Sequence, residues 1–143
     1  MNLYRLLYKS SAVNLMRDSE LSALAKQARF NNLIHQVSGL LVYSNQRFYQ
    51  VLEGSNDHID FIYKKIEKDP RHTHVSLLVK EPIQERTFWR WNLGMVTINE
   101  NNDIYLQLVD YINENLLLKN ANIDDAGFIF EAFSREKFQK YIT

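Results

Sequence analysis

The chain has 143 residues, of which 45% are hydrophobic and 24% are charged, so it is long enough to bury a core and is typical of one globular unit. Lysine and arginine together number 17, as do aspartate and glutamate, and the resulting formal net charge of +0 gives no basic excess that would predict binding to nucleic acid or an anionic membrane. The absence of cysteine excludes disulfides, thiol nucleophiles and zinc–thiolate sites.

In chain order, the first half of the sequence predicts a strand, a helix and a hairpin of two further strands. Side chains alternate between two faces through Leu3–Lys9, which is typical of a strand. Asp18 or Ser19 then caps a helix that we expect to end near Asn31-Asn32, because asparagine tolerates the left-handed conformation at a helix C-terminus. The two remaining strands of this half are predicted at Val37–Tyr43 and Arg47–Gly54, joined by a tight turn.

The second half predicts a helix, two strands and two helical segments. Asn56 or Asp57 begins a helix with apolar residues at helical spacing, and Asp69-Pro70 ends it. A strand over His74–Val79 is expected to end before Pro82, because proline cannot donate a hydrogen bond to a sheet. The last predicted elements are a strand at Leu93–Ile98 and helical segments at 101–120 and 123–141.

This order of elements predicts an α+β fold. The first six elements match a ferredoxin-like βαββαβ unit, in which the first and third strands lie side by side and both helices cover one face. The expected architecture is a ferredoxin-like βαββαββ sheet with two helices on one face, followed by a C-terminal two-helix extension. We expect the extension to cover the other face of the sheet or to mediate assembly.

The most informative polar residue lies in the strand Arg47–Gly54. Gln50 shares a strand face with Phe48 and Leu52, so its amide needs a partner, because burying an unpaired amide is costly. Neighbouring backbone can satisfy it, and so can a buried polar ligand. If the first and third strands are neighbours, Tyr8 projects to the same face and can hydrogen-bond Gln50. Such a pair either satisfies only itself or shares its cleft with a third polar group.

Further candidate residues lie on the two predicted helices. The side-chain amides of Asn31 and Asn32 can bond a flat heterocycle through donors and acceptors together, although helix capping is their commoner role. Leu24 and Ile66 are in phase to face the sheet, where they either sandwich a flat ring or belong to the core. The sequence shows no Gly-rich phosphate loop and no nucleophile elbow, and we predict no metal site.

A set of short motifs follows in order along roughly residues 1–98: Leu7–Ser10, Ala28–Asn32, Ser38–Tyr43, Phe48–Gly54, Asp69–His72 and Arg86–Gly94. Together they resemble the BLUF family, the blue-light sensors that use FAD. Each motif is weak by itself, whereas the ordered set, with both Tyr8 and Gln50 in place, is specific. The length and the C-terminal extension look like those of the short, stand-alone members of the PixD kind.

The resemblance implies FAD as cofactor, with the isoalloxazine ring between the two helices. Leu24 and Ile66 would form the walls that contact the ring. Asn31, Arg71 and His72 would bind elsewhere on the ring or on its tail.

The resemblance also implies a photochemical role for Tyr8, Gln50 and Trp91. Gln50 would lie beside the flavin N5 and O4, Tyr8 would hydrogen-bond Gln50, and Asn32 would bond the O4/N3 edge. In the family, blue light drives electron and proton transfer from this tyrosine to the flavin. The glutamine amide then rotates or tautomerises, and the absorption of the oxidised flavin moves slightly to the red.

Signal transfer is implied through the segment Trp91–Leu93 at the fifth strand. Leu93 stands where many family members carry methionine, and leucine offers no sulfur acceptor to a reoriented Gln50 amide. The resemblance therefore leaves the photochemistry intact, and it leaves the route of the signal beyond Leu93 as the open question.

The expected protein is a sensor, not an enzyme, with a flavin-binding domain at 1–98 and a helical extension at 99–143. Its output would pass to an unidentified downstream protein or to a change in self-association, the latter through the apolar faces of the last helices. We expect a cytoplasmic location, because the sequence shows no signal-peptide profile and no membrane-spanning apolar run. The alternative is a metabolite-binding protein or an acylphosphatase-like hydrolase on a ferredoxin-like scaffold.

Overall fold

A computed structural model describes residues 2–99, 103–104, 106–107, 110 and 126–143. Its strands are β1 (Leu3–Ala12), β2 (Ser38–Ser44), β3 (Arg47–Ser55), β4 (His72–Ile83) and β5 (Gly94–Ile98). Its helices are α1 (Asp18–Ile34), α2 (Asn56–Glu67), α3 (Ala126–Ser134) and α4 (Glu136–Gln139). The five strands form one sheet in the order β4-β1-β3-β2-β5.

The two strands that position the site, β1 and β3, are neighbours in the middle of the sheet. They pair antiparallel, with Tyr8 opposite Gln50. β4 and β2 flank them in antiparallel pairs, and β5 pairs with β2 in parallel. The predicted α+β, ferredoxin-like order is therefore confirmed, with the fifth strand added beside β2.

Helices α1 and α2 cover one face of this sheet. α2 packs on β1 and β3, and α1 packs on β2. The residues that each helix buries recur at intervals of three, four or seven, which places them on one stripe of the helix. They are Leu21, Ala25 and Asn32 of α1 and Ile59 and Ile62 of α2.

The C-terminal helices α3 and α4 cover the opposite face. Phe130 and Phe133 of α3 and Phe138 of α4 belong to the same buried cluster as Tyr49 and Val51 of β3. These two β3 residues alternate with Gln50, so they point away from the face that α1 and α2 cover. Both helices fall within the predicted segment 123–141, so this segment covers the other face of the sheet, whereas the same prediction for 101–120 lies largely outside the described residues.

The predicted bounds of α1 are wrong at both ends. Arg17, not Asp18 or Ser19, occupies the N-cap position, and the helix continues to Ile34. The left-handed residue after the helix is Gln36, with a φ of 55°. Asn32 remains helical because its side chain is buried in a contact with a distant segment, described below, and such a contact overrides local capping preference.

The predicted bounds of β4 and β5 are also wrong. β4 continues through Pro82 to Ile83. A proline is tolerated there because β4 is an edge strand, where one side of the backbone needs no strand partner. β5 begins at Gly94 instead of Leu93. The segment Trp91–Leu93 therefore lies in the connection before the strand, where the alternation of strand side chains does not apply.

Two local features fix the β2–β3 hairpin. Asn45 and Gln46 both have positive φ, 52° and 60°, which is typical of the two-residue turns that match the twist of a hairpin. At Gly39 in β2, an added Cβ would lie 2.0 Å from the main-chain oxygen of Val51, so only glycine permits this approach of β2 to β3.

The predicted helix over 101–120 falls largely outside the described residues. The described residues 103–104, 106–107 and 110 are helical. Residues 123–125, at the start of the last predicted helical segment, also lie outside them. Within the described residues, no helix is long and apolar enough to cross a membrane.

Candidate functional site

A cleft of about 520 Å³ lies between α1 and α2, over β1 and β3. This volume falls in the range of about 300–1,000 Å³ that is usual for small-molecule sites. The structure brings together around this one cleft all eight residues that the sequence predicted to bind the cofactor: Tyr8, Leu24, Asn31, Asn32, Gln50, Ile66, Arg71 and His72. Their contacts with a cofactor stay a prediction.

Tyr8 and Gln50 form a buried hydrogen-bonded pair on the sheet side of the cleft. The Tyr8 Oη donates to the Gln50 Oε1 over 2.5 Å. Each residue is only 3% exposed. The alternative in which neighbouring backbone satisfies the Gln50 amide is therefore wrong, and the predicted Tyr8–Gln50 pair is confirmed.

The Gln50 amide keeps donor capacity for a ligand. Its oxygen accepts from Tyr8, whereas its nitrogen bonds no protein group in the part of the chain that the structure describes. A primary amide nitrogen carries two N–H donors. Since Gln50 lines the cleft, these donors are available to a polar group bound there.

Burial controls the protonation of Tyr8. It raises the pKa of the Tyr8 phenol well above its ordinary value, with smaller contributions from Tyr63 and Asp69. The phenol therefore keeps its proton at every physiological pH. Consequently, Tyr8 is a permanent donor to Gln50 in the resting protein.

Asn32 touches both the cleft and the connection before β5. Its side chain is 1% exposed, and its Nδ2 donates to the main-chain oxygen of Asn92 over 2.7 Å. The amide oxygen and the second N–H are left for the cleft that Asn32 lines. Asn31 also lines the cleft, half-buried, and its main-chain oxygen accepts from His35. Neither asparagine acts as the predicted helix cap.

Two aliphatic side chains contribute one from each helix to the lining of the cleft. Leu24 comes from α1 and Ile66 from α2, and both are half-buried. Each also packs against one of the buried clusters under the helices. Both side chains therefore contact the core, and their role as walls for a flat ring stays a prediction.

Arg71 is held in place at the end of the cleft by Asp69. The Arg71 Nη2 lies 2.5 Å from the Asp69 Oδ2, and the same nitrogen donates to Gln27 of α1 over 3.1 Å. The Arg71 guanidinium holds the pKa of the Asp69 carboxyl below its usual range. Sequence reasoning gave Asp69 only the role of ending α2. In the structure, Asp69 also orients Arg71, a predicted site residue.

His72 is also fixed by both ring nitrogens. Its Nδ1 lies 2.8 Å from the Ser10 Oγ, and its Nε2 lies 2.5 Å from the main-chain oxygen of Ile66. The ring therefore connects β1 to the last turn of α2 beside the cleft. Among the described residues, no three His, Asp or Glu side chains come close enough to hold a metal ion.

Sequence reasoning assigned no cofactor role to part of the lining. Two of these residues, Lys65 and Lys68, had a usable signal, because they lie within one turn of Ile62 and Ile66 near the end of α2. The others lie on α1, in the core or in a loop and have no distinctive pattern. The full set is Gln27, Ala28, Leu41, Phe48, Ile62, Lys65, Lys68, Asp69 and Pro70.

Trp91 and Leu93, the predicted relay residues, do not line the cleft. Trp91 packs against the buried cluster on the other face of the sheet, with its ring centroid 6.5 Å from that of Phe88. Leu93 is 1% exposed and belongs to the cluster under α1. The segment 91–93 thus packs one side chain against the core on each face of the sheet. Trp89, by contrast, is 65% exposed.

The sequence profile of a family described as sensors of blue-light using FAD, BLUF, matches residues 3–94. A similar curated protein is the photoactivated adenylate cyclase subunit beta of Euglena gracilis, 36% identical over 94 residues. The match covers 64% of this chain and only 11% of that protein. The acylphosphatase-like alternative is left without support.

Two solved structures match nearly the whole chain. BlsA in its photo-activated state has a TM-score of 0.73 and 27% identity, with 94% of this chain and 95% of that chain covered. BlrB, a BLUF protein in its dark state, has a TM-score of 0.75, with 93% of this chain and 96% of that chain covered. At 23% identity, the likeness to BlrB concerns the fold.

Proposed function

Because the chain belongs to the BLUF family of blue-light sensors that use FAD, we propose that Tyr8 and Gln50 are its light-responsive pair. One observation carries this proposal: a phenol that keeps its proton donates to an amide oxygen, and the amide nitrogen remains available in a cleft of suitable size. The protein is a flavin photoreceptor, and its residues determine how the absorbed light is converted into a structural change.

The cleft fits a flavin ring. Leu24 and Ile66 supply aliphatic contacts for a flat ring from two different helices. Asn32 and Gln50 supply both hydrogen-bond donors and acceptors for its polar edge. We propose that Asn31, Arg71 and His72 bind the rest of the ring or the tail, and Arg71 and His72 are already oriented by protein contacts for such a role. FAD, when bound, supplies the absorption of blue light and an acceptor for an electron.

The Tyr8–Gln50 bond gives the proton at the Tyr8 Oη its path, since the Gln50 Oε1 is the acceptor that faces it. Loss of an electron would make the phenol far more acidic, so its proton would pass along this bond to the Gln50 Oε1, and the electron and a proton would return to Tyr8 at the end of the light-driven step. A Gln50 amide that has turned over then presents its nitrogen to Tyr8. Because that nitrogen only donates, the Tyr8 oxygen must now accept. The hydrogen bond between β1 and β3 thereby reverses its direction.

We propose that the output passes to another protein by contact and that these 143 residues carry out no catalytic step. Trp91 and Leu93 would relay the change, and their side chains pack on opposite faces of the sheet, which supports that role. In this proposal residues 1–98 bind the flavin, and residues 99–143 form the extension that delivers the signal or changes self-association. The absence of cysteine is consistent with the proposed cytoplasmic location.

The experiment is absorption spectroscopy of the FAD-loaded protein before and after blue light. We expect a small shift of the flavin band to the red in the wild type. Gln50→Leu should bind flavin and lose the normal shift, because leucine can neither accept from Tyr8 nor donate into the cleft. Gln27→Leu, which alters another glutamine of the cleft, should keep the shift. An unchanged photocycle in Gln50→Leu would remove Gln50 from this role, and a wild type that takes up no FAD would contradict the cofactor assignment.

A further inference from the structure

Arg29 lies on α1 beside residues that line the cleft, but its side chain contacts other parts of the protein. Ala28 and Asn32 line the cleft, whereas Arg29 does not. The Arg29 Nε donates to the main-chain oxygen of Leu93 over 2.7 Å, and its Nη2 donates to that of Thr143 over 2.8 Å. One half-buried guanidinium therefore bridges two segments that are distant in sequence.

The segment that Arg29 holds at Thr143 pairs with the outer edge of β5. The main-chain N–H of Thr143 donates to the Met95 oxygen, and that of Met95 donates to the Thr143 oxygen, each over 3.0 Å. The Thr143 hydroxyl also donates to the Met95 oxygen over 3.0 Å. Gly94 leaves the necessary room, since an added Cβ would lie only 2.3 Å from the Ile142 Cγ2.

The same segment continues from α4 on the opposite face of the sheet. Phe138 is buried there, and Tyr141 and Ile142 pack against the same cluster. The chain thus passes from the face covered by α3 and α4 to the edge of β5, where Arg29 binds it from the side of α1. This contact connects the cleft helix to the C-terminal helices around the edge of the sheet.

We propose that Arg29 is the positioning residue through which a light-driven change at the cleft reaches residues 138–143. The inference rests on the proposed output through the C-terminal extension and names its route. Both hydrogen bonds are charge-assisted, so they are stronger than neutral ones. The Asn32 bond to the Asn92 oxygen runs beside them, so α1 holds two consecutive carbonyls, those of Asn92 and Leu93. A shift of α1 therefore acts on the start of β5 and on Thr143 together.

The test compares hydrogen–deuterium exchange of FAD-loaded protein in the dark and under blue light. In the wild type, light should accelerate exchange of the amides of Met95 and Thr143. Arg29→Met keeps the aliphatic part of the side chain and removes both hydrogen bonds. Its dark exchange at these amides should already be roughly tenfold faster, because a hydrogen bond to a charged group is worth about that factor or more. Light should then accelerate the exchange of these two amides little further, while the red shift of the flavin stays normal.

Arg90→Met is the matched control. Arg90 donates to the Gln139 side chain of α4 over 3.2 Å, so it also contacts the C-terminal helices with a guanidinium, but no hydrogen bond joins it to α1 among the described residues. This variant should keep the wild-type difference between light and dark. If Arg29→Met does not fold, Arg29→Gln, whose shorter side chain cannot reach both oxygens, takes its place.

Two results would overturn the inference. One is a light–dark exchange difference of wild-type size in the folded Arg29 variant. The other is a wild type whose flavin shifts normally to the red while the amides of Met95 and Thr143 show no response to light. A wild type without any red shift would instead count against the proposed function, so the two failures are distinguishable.

Discussion

The burial of Glu53 predicts that Glu53→Gln destabilises the protein much more than its small chemical change suggests. Glu53 is 0% exposed. Its Oε2 accepts from the Arg5 Nη2 over 2.8 Å and from the main-chain N–H of Thr87 over 3.1 Å, and its Oε1 accepts from that of Phe88 over 2.7 Å. Each of these neighbours is a donor. A glutamine would place an NH₂ group where an acceptor is required.

The magnitude follows from the environment of Arg5. Removing one partner of a buried ion pair costs about 3–5 kcal/mol. Arg5 is 27% exposed and has a second carboxylate, Glu81, at 3.6 Å. Partial hydration and this second partner reduce the penalty, so we expect a loss near the lower end, about 3 kcal/mol. Glu81→Gln is the matched control, because the Glu81 side chain is 52% exposed and exposed pairs contribute about 0–1 kcal/mol.

Urea unfolding of both variants, followed by circular dichroism, measures the free energies of unfolding. The slope of the free energy against urea concentration should stay the same in all three proteins, so that the difference is read from the midpoints. Equal losses in Glu53→Gln and Glu81→Gln would refute the reasoning, because the buried and the exposed partner of Arg5 would then contribute equally to the free energy of unfolding. A loss below about 1 kcal/mol in Glu53→Gln would refute it as well.

Two further predictions concern stability. Gly39→Ala should cost about 1–3 kcal/mol or more in urea unfolding, because its Cβ would lie 2.0 Å from the Val51 oxygen, whereas Gly54→Ala, whose nearest neighbour is at 3.3 Å, should cost less; the reverse order would contradict this. Burial raises the pKa of Tyr8, so the unfolded chain loses the phenol proton at lower pH than the folded protein does. The contribution of Tyr8 to the free energy of unfolding is therefore fully present below pH 10.0, the ordinary pKa of tyrosine. Above that pH, the free energy of unfolding should fall by about 1.4 kcal/mol per unit in the wild type relative to Tyr8→Phe, and equal slopes would contradict this.

The sequence was sufficient to predict the order of elements and the Tyr8–Gln50 pair. The connectivity places β1 beside β3, and the alternation of strand residues then assigns Tyr8 and Gln50 to the same face. The register of β1 and β3 then places the two residues directly opposite each other, within hydrogen-bonding distance. These steps rely on periods of two and of 3.6 residues, which a sequence shows directly.

The contacts that sequence reasoning missed join residues far apart in the chain. Arg29 and Thr143 are 114 positions apart, and Glu53 and Phe88 are 35 apart. No local pattern marks either pair. The end of α1 was mispredicted for the same reason, because Asn32 is held by Asn92, 60 positions away. Trp91 lies in a turn that its main-chain N–H closes by donating to the Phe88 oxygen, so the alternation of strand side chains gives no information about its orientation.

The connection between β4 and β5 is held from both faces of the sheet, and this changes the significance of Leu93. Glu53 binds it at Phe88 from β3, and Arg29 binds it at Leu93 from α1. The bond from Arg29 goes to the main-chain oxygen of Leu93, which any residue at this position would offer. The missing methionine sulfur therefore removes one possible contact for a reoriented Gln50 amide, but it does not remove the connection from α1 to β5. A route through the backbone at Leu93 remains available whether or not the side chain takes part.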